Sequence, residues 1–318
     1  MSVVLHEPGA VEETEVRHAR RGVVWRTLRR RPSAIIGIVL LSVIVLTALL
    51  APWIAPYGLH EQVGPPFGPP SPAHPLGLDD GGIDMVTLLM WGTRVSLVVG
   101  FAATAVSILI GGTVGLTAGY FGGKVDTVLM RITDYFIVIP DVPLMIVVAA
   151  IWGPSIGHII IVIGILLWTG TARVLRAQVK SVRERVYVQR SRALGASHWR
   201  IVGRHVLPQV APLLIANTVL TVAVAIFDET ALSFLGLGDP SRISLGKVIE
   251  NAFERAAISS GAWWAIVPPG ILVALIILSC SLIGGALEDS LNPRLRVAHL
   301  GARTFRLRPL VGRSPEAL

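Results

Sequence analysis

The chain has 318 residues, 53% of them hydrophobic and only 15% charged, with a mean hydropathy of +0.67. That balance excludes a soluble domain of this length and places the chain in a bilayer. The formal net charge is +8, but the basic residues flank long apolar runs, which is the pattern of membrane orientation and argues against a nucleic-acid partner.

Residues 1–32 are polar and end in Arg26, Arg29, Arg30 and Arg31, after Arg17, Arg20 and Arg21; they are expected to form a cytoplasmic tail. Residues 33–55 hold no charge and are enough to cross a hydrocarbon core of about 30 Å. This first apolar run starts late, is too long for the apolar part of a leader and ends at Ala51-Pro52-Trp53, so no cleaved signal peptide is expected. Residues 56–93 contain no Lys or Arg, are rich in Pro and Gly around Gly64–Pro70, and read as an extracytoplasmic loop. Asp79, Asp80 and Asp84 in that loop lack the spacing of a cation site, so a structural role is expected and no metal.

Residues 94–287 are predicted to form a core of five further spans. The second span, about 97–120, has a seam: Ala103, Ser107, Gly111, Gly115 and Gly119 recur every four residues, giving one face of small side chains on which another helix can pack closely. The third span, about 125–152, places Arg131 and Asp134 three residues apart, within reach of each other, and Pro140 and Pro143 farther on predict a kink. After a turn at Gly153-Pro154-Ser155, residues 156 to about 171 form the fourth span. The fifth is expected at 210–227, and the last at 263–286 with Trp263 and Trp264 at the interface. Cys280, the one cysteine, lies inside the last span, excludes an internal disulfide and reads as a small core residue. Residues 288–318 are a second cytoplasmic tail. With both ends inside, twenty-four Lys and Arg fall on the cytoplasmic side and three outside (Arg242, Lys247 and Arg255), with Arg94 at a boundary; the opposite orientation would invert that asymmetry.

Between the fourth and fifth spans, residues 180–208 are the stretch around which the chain is organised. From Arg173 to Arg204 there are nine Lys and Arg residues, each costing about 2.5–3.5 kcal/mol at a bilayer centre, so the stretch must lie at a membrane surface. A first helix can run to Leu194, with Gly195 as a left-handed turn residue; Ser197 can cap a second helix, which should stop before Pro208. Trp199, Val202 and Val206 share one side of that helix, Arg200 and Arg204 another, so the hairpin is expected to bury the first side and present the second for docking.

The order Tyr187-Val188, then Ala193-Leu194-Gly195-Ala196-Ser197, then Arg204-His205-Val206-Leu207-Pro208 closely resembles the cytoplasmic "EAA" loop in permease subunits of bacterial ABC importers. The resemblance implies an all-α, type I importer permease with six spans. In it Tyr187, Arg192, Ala193, Leu194, Gly195, Ala196, Ser197, Arg204, His205, Leu207 and Pro208 would couple to a separate ATPase, with Ala193, Leu194 and Gly195 at the centre. Arg190 and Ser191 depart from the family, where paired alanines are usual. The His74–Gly77, Asp79–Asp84 and Gly92–Leu97 stretches, and Asp228–Gly238, resemble the peptide class of these permeases, specifically the second permease subunit of dipeptide, oligopeptide or nickel systems. Ile83 replaces a usual arginine, and Ser281 and Gly285 a usual Asn and Asp. The partners implied are a second permease subunit in a heterodimer, cytoplasmic ATPase subunits, an extracytoplasmic substrate-binding protein and membrane lipid, at the bacterial inner membrane.

The chemistry the residues do not supply points the same way. Gly123-Lys124 lacks the upstream glycine and the following Ser or Thr of a P-loop, so the chain is not expected to be an enzyme or to bind a cofactor, and ATP is expected on a partner. No His pair has metal-ligand spacing, and no Gly-x-Ser-x-Gly or His-Glu-x-x-His occurs. An ion-coupled secondary transporter would want acids within its spans, for which Asp134 and Asp141 are the candidates. A membrane scaffold could use the same hairpin. Within the family, short peptides are the expected cargo, with nickel or another small solute as the alternative.

Overall fold

The computed structural model describes residues 31–291; the expected tail segments 1–30 and 292–318 lie outside the described residues. The helices are α1 (Pro32–Ile54), α2 (Met85–Phe121), α3 (Gly123–Val138), α4 (Asp141–Trp152), α5 (Ile156–Arg183), α6 (Val186–Ala193), α7 (His198–Ile201), α8 (Leu207–Leu232), α9 (Leu245–Glu254) and α10 (Val267–Leu291). Among the described residues the only β pairing is an isolated bridge between Leu78 and Asp84. Five helical stretches are long and apolar enough to cross a membrane, and there are six spans when α3 and α4 are taken together.

That third span is broken rather than kinked: α3 and α4 meet at 84°. The cause is Pro140, whose ring pushes the preceding residue out of the helical region; Ile139 is extended, at φ −80° and ψ 127°. The expected Arg131–Asp134 pair does not form. Asp134 Oδ1 instead accepts from Arg173 Nη2 on α5 at 2.7 Å, an arginine that the packing of α5 beside α3 brings within reach. Three spans run past their expected ends. α2 reaches back to Met85 and α8 on to Leu232, while α5 continues as one helix to Arg183, well past its expected end near residue 171 and up to the basic hairpin.

The seam on α2 faces α5. Ala103 and Ser107 are fully buried, and a Cβ added at Gly111, Gly115 or Gly119 would fall within 2.8 Å of a backbone carbonyl of Trp168, Ala172 or Arg176. Small residues let the two backbones approach this closely. α8 and α10 pack beside this pair, and α1 lies on α10, with Ile44, Met85, Leu88, Ile226, Leu245 and Ile276 in one shared apolar core. Leaving the membrane-facing sides apolar is consistent with the exposed Ile36, Val39, Leu46 and Leu109.

The loops after α1 and after α8 meet at one end of the bundle. Trp264 Nε1 donates to Leu78 O at 3.2 Å, and Arg255 Nε lies 3.7 Å from Asp80. Each acid of the Asp79–Asp84 stretch has a structural duty. Asp84 caps α2 by accepting from Thr87 N at 2.9 Å and lies 3.1 Å from His74 Nδ1. Asp79 Oδ1 accepts from Gly81 N and Ile83 N; burial pushes its carboxyl up, against the pull of those backbone donors. The loop between α8 and α10 is not featureless, since it contains α9, capped by Ser244 accepting from Lys247 N.

Candidate functional site

The opposite end of the bundle carries the hairpin of α6 and α7. Its base is buried: Val188, Ile201 and Val206 are fully enclosed and pack with Leu175, Val179 and Val182 of α5 and Val210 of α8. Long rigid helices therefore hold it from both sides, α5 feeding in through Arg183 and α8 leading out. At the tip, the α6 helix ends at Ala193, Leu194 follows as its cap and Gly195 turns at φ +78°, a conformation that costs an L-residue with a Cβ roughly 1–2 kcal/mol. Ala196 N donates to Ser191 O and Gly195 N to Arg192 O, closing the end of the helix in the manner of a glycine C-cap.

The tip is apolar and open. Leu194 is 88% exposed and Trp199 87% exposed, next to exposed Ala193, Gly195 and Ser197. Trp199 thus departs from expectation: it lies outside the buried side, whose members are Ile201, Val202 and Val206. The reason is the winding of the helix. α7 is four residues long and passes into a π-turn at Val202–Val206, so a uniform helical period does not place Trp199 and Val206 on one face.

Pro208 is no stop either. Leu207 N donates to Val202 O, five residues back, and α8 continues through Pro208 near its first turn. The wider turn opens room at the carbonyl that the proline ring would otherwise strike, and the missing N–H falls at a helix start. Ser197 stands at the N-cap of α7 with extended backbone, but its hydroxyl makes no capping hydrogen bond.

Around the tip lies a ring of polar groups. Arg190, Arg192, Arg200 and Arg204 are exposed. Tyr187, 37% exposed, lies with its ring 6.0 Å from that of His205, whose Nε2 is 3.4 Å from Ser191 Oγ. Leu207 is 41% exposed and Pro208 exposed, on the flank of the hairpin. Glu184, between α5 and α6, has its carboxyl held below the usual range by Arg183. The hairpin thus presents two large exposed apolar side chains and four exposed arginines on a buried base, a composition suited to contact with another protein.

Sequence reasoning missed the residues beneath the hairpin. Arg183 Nη1 donates to Tyr120 O at the end of α2, and Tyr120, 2% exposed, touches the hairpin from below. The signal available was the aromatic pair Tyr120-Phe121 immediately before Gly122-Gly123 at the end of an apolar span.

Residues 111–297 match a family described as binding-protein-dependent transport system inner membrane component. The chain belongs to this family. The matched region takes in the last part of α2, from Gly111 on, and then every helix through the hairpin to α10, so this inner membrane component is a multi-pass, all-α ABC permease. Residues 21–69 match a second description, the N-terminal TM domain of oligopeptide transport permease C. Among curated relatives, the dipeptide transport system permease protein DppC of Bacillus subtilis is 34% identical over 273 residues, 86% of this chain and 85% of the relative. The di/tripeptide transport system permease protein DppC of Pseudomonas aeruginosa is 33% identical over 86% of this chain and 92% of its own length. The oligopeptide transport system permease protein OppC of Mycobacterium bovis is 34% identical over 90% of this chain and 98% of its own length. A solved structure of the MetNI methionine ABC transporter, 21% identical, aligns with 64% of this chain and 97% of that chain at a TM-score of 0.46.

Proposed function

We propose that this permease is one transmembrane subunit of an ATP-driven importer and forms part of the translocation path for short peptides. The hairpin is the contact for a separate ATPase: Leu194 and Trp199 at the tip insert into a groove on it, and Ala193, Gly195, Ala196 and Ser197 let the backbone approach. Arg192, Arg204, Tyr187, His205, Leu207 and Pro208 flank the contact, Arg192 and Arg204 supplying charge and the others shape. The observation that carries this reading is the exposure of two large apolar side chains at the tip of a polar hairpin whose base is buried, since monomeric surfaces seldom present such a pair on a rigid mount. A second permease subunit completes the path, and an extracytoplasmic binding protein delivers the peptide. The hairpin and both chain ends lie in the cytoplasm, a topology that the Lys and Arg asymmetry supports. The peptide assignment rests on the names of relatives that match nearly the whole chain.

The docking arm is tested with Gly195→Glu. Among the described residues, nothing apart from the chain neighbours lies within 4 Å of a Cβ at Gly195, so the variant folds with only local strain, but a charged side chain at φ +78° obstructs the partner. Loss of ATPase copurification and of import is expected; retention of both refutes the contact. The cargo arm deletes the gene in a strain with no redundant peptide system and measures uptake of labelled di- to pentapeptides alongside nickel. Selective loss of peptide uptake is expected, whereas selective loss of nickel uptake overturns the cargo.

A further inference from the structure

Tyr120 is next to the last residue of α2, a place where an aromatic ring ordinarily turns to the lipid interface. Here the ring is 2% exposed and grips three elements. Its Oη lies 3.0 Å from His198 Nδ1 on α7, with the two rings 5.7 Å apart and edge to face. The Arg192 guanidinium of α6 stands 5.7 Å above the same ring. Its backbone carbonyl accepts from Arg183 Nη1 of α5 at 3.1 Å. Immediately beyond, Gly122 at φ +67° and Gly123 at φ +54° break the chain before α3, and α3 is tied back to α5 by Asp126, which accepts from Arg176 and Lys180.

We propose that Tyr120 is the positioning residue through which a displacement of the hairpin reaches the α2–α3 junction. The inference rests on the docking reading above. Beside the Phe121 ring, which lies 5.7 Å from that of His198, the contacts beneath the hairpin from Val188, Ile201 and Val206 are apolar and tolerate sliding, because dispersion has no preferred direction. The Tyr120–His198 hydrogen bond and the Arg192–ring contact are directional and fix the register of both hairpin helices against the end of α2. A push on α6 or α7 is therefore passed to the ring, and the glycine pair next to it lets the start of α3 swing, with the Asp126 clamp as its pivot.

The test uses the complete transporter in vesicles, with its ATPase subunits, second permease subunit and binding protein, and measures peptide imported per ATP hydrolysed. The variants are Tyr120→Phe, which keeps the ring and drops the hydroxyl, His198→Ala, and the two together. Unchanged assembly and unchanged thermal stability of Tyr120→Phe are expected, with the ratio falling by about fivefold in each single variant and no further in the double, as for one shared hydrogen bond. A wild-type ratio in Tyr120→Phe, or falls that multiply in the double variant, overturns the proposal. Loss of ATPase association by Tyr120→Phe overturns it too, by assigning the residue to packing. The Gly195→Glu variant is scored separately: if it still couples, the docking reading fails whatever Tyr120 does.

Discussion

The seam between α2 and α5 can be broken at one atom. A methyl group added by Gly111→Ala would lie 2.4 Å from Trp168 O and 2.8 Å from Thr171 Cβ, against 3.4 Å for ordinary contact, so the helices must part by about 1 Å, the difference between 2.4 and 3.4 Å. A carbonyl in the middle of a helix cannot rotate away. The same parting loosens the neighbouring steps, where Gly115 faces Ala172 O and Gly119 faces Val179 Cβ, and a radial gap of about 0.5–1 Å forfeits a quarter to a half of each dispersion well. Overpacking of this kind costs about 1–3 kcal/mol, and the rigid obstacle places this site near the upper value. The control is one residue away: among the described residues, a Cβ at Gly112 meets nothing within 4 Å outside its own helix backbone, and Gly112→Ala has the same gain in helix propensity, so that term cancels in the comparison. Cys280, 1% exposed and the only cysteine, gives the assay, because a thiol-reactive fluorogenic dye reports its exposure on heating the purified protein. At about 2–4 °C per kcal/mol for a chain of this size, Gly111→Ala should unfold about 6–12 °C below Gly112→Ala at one scan rate. Equal midpoints would refute the close-packed seam.

Removal of Asp126, which is 7% exposed and holds both Arg176 and Lys180, should cost about 1–2 kcal/mol after allowing for the partly solvated cations, while Asp134→Ala, whose pair with Arg173 is half exposed, should cost less than about 1 kcal/mol; the same thiol assay compares them, and equal losses would contradict the burial argument. In a Cys280→Ser background, a cysteine at exposed Pro70 should react with an impermeant reagent on intact cells and one at Gly195 should not. Pro70 is the better probe because Gly68 is packed against Leu78, and labelling at Gly195 would reverse the topology. Asp239, whose carboxyl is held below the usual range by the Ser241 hydroxyl, pins the loop after α8 to Ile156 N at 3.4 Å. A lowered folded pKa means that its contribution is complete above the unfolded value near about pH 4 and is lost as pH falls through the folded one. The acid limb of a melting profile should therefore flatten in Asp239→Asn, and an unchanged limb would count against the contact.

Much of the architecture was legible because bilayer physics is written in composition. Uncharged runs of span length, the distribution of Lys and Arg, and a four-residue rhythm of small side chains are properties of the chain itself, and the spans and the α2 seam follow from them. Gly195 was legible too, since a left-handed turn between two short helical patterns has few other candidates. The hairpin's buried face was not. Trp199 reads as core by helical spacing, yet a π-turn at Val202–Val206 changes the winding and leaves it 87% exposed; nothing local distinguishes five-residue from four-residue hydrogen bonding. Pro208 reads as a stop for the same reason, and the π-turn is what lets the helix continue. Pro140 announces a bend, but the spacing alone does not give its size: the structure shows a full break of 84° between α3 and α4. Asp134 has Arg131 as a sequence neighbour and Arg173 as its partner, and although the aromatic pair before Gly122-Gly123 marks the place of Tyr120, nothing in the sequence pairs it with Arg183, Arg192 and His198. Local rules assign which segments are helical and which sides are apolar, whereas partners across the bundle are chosen by distances that exist only once the helices have packed.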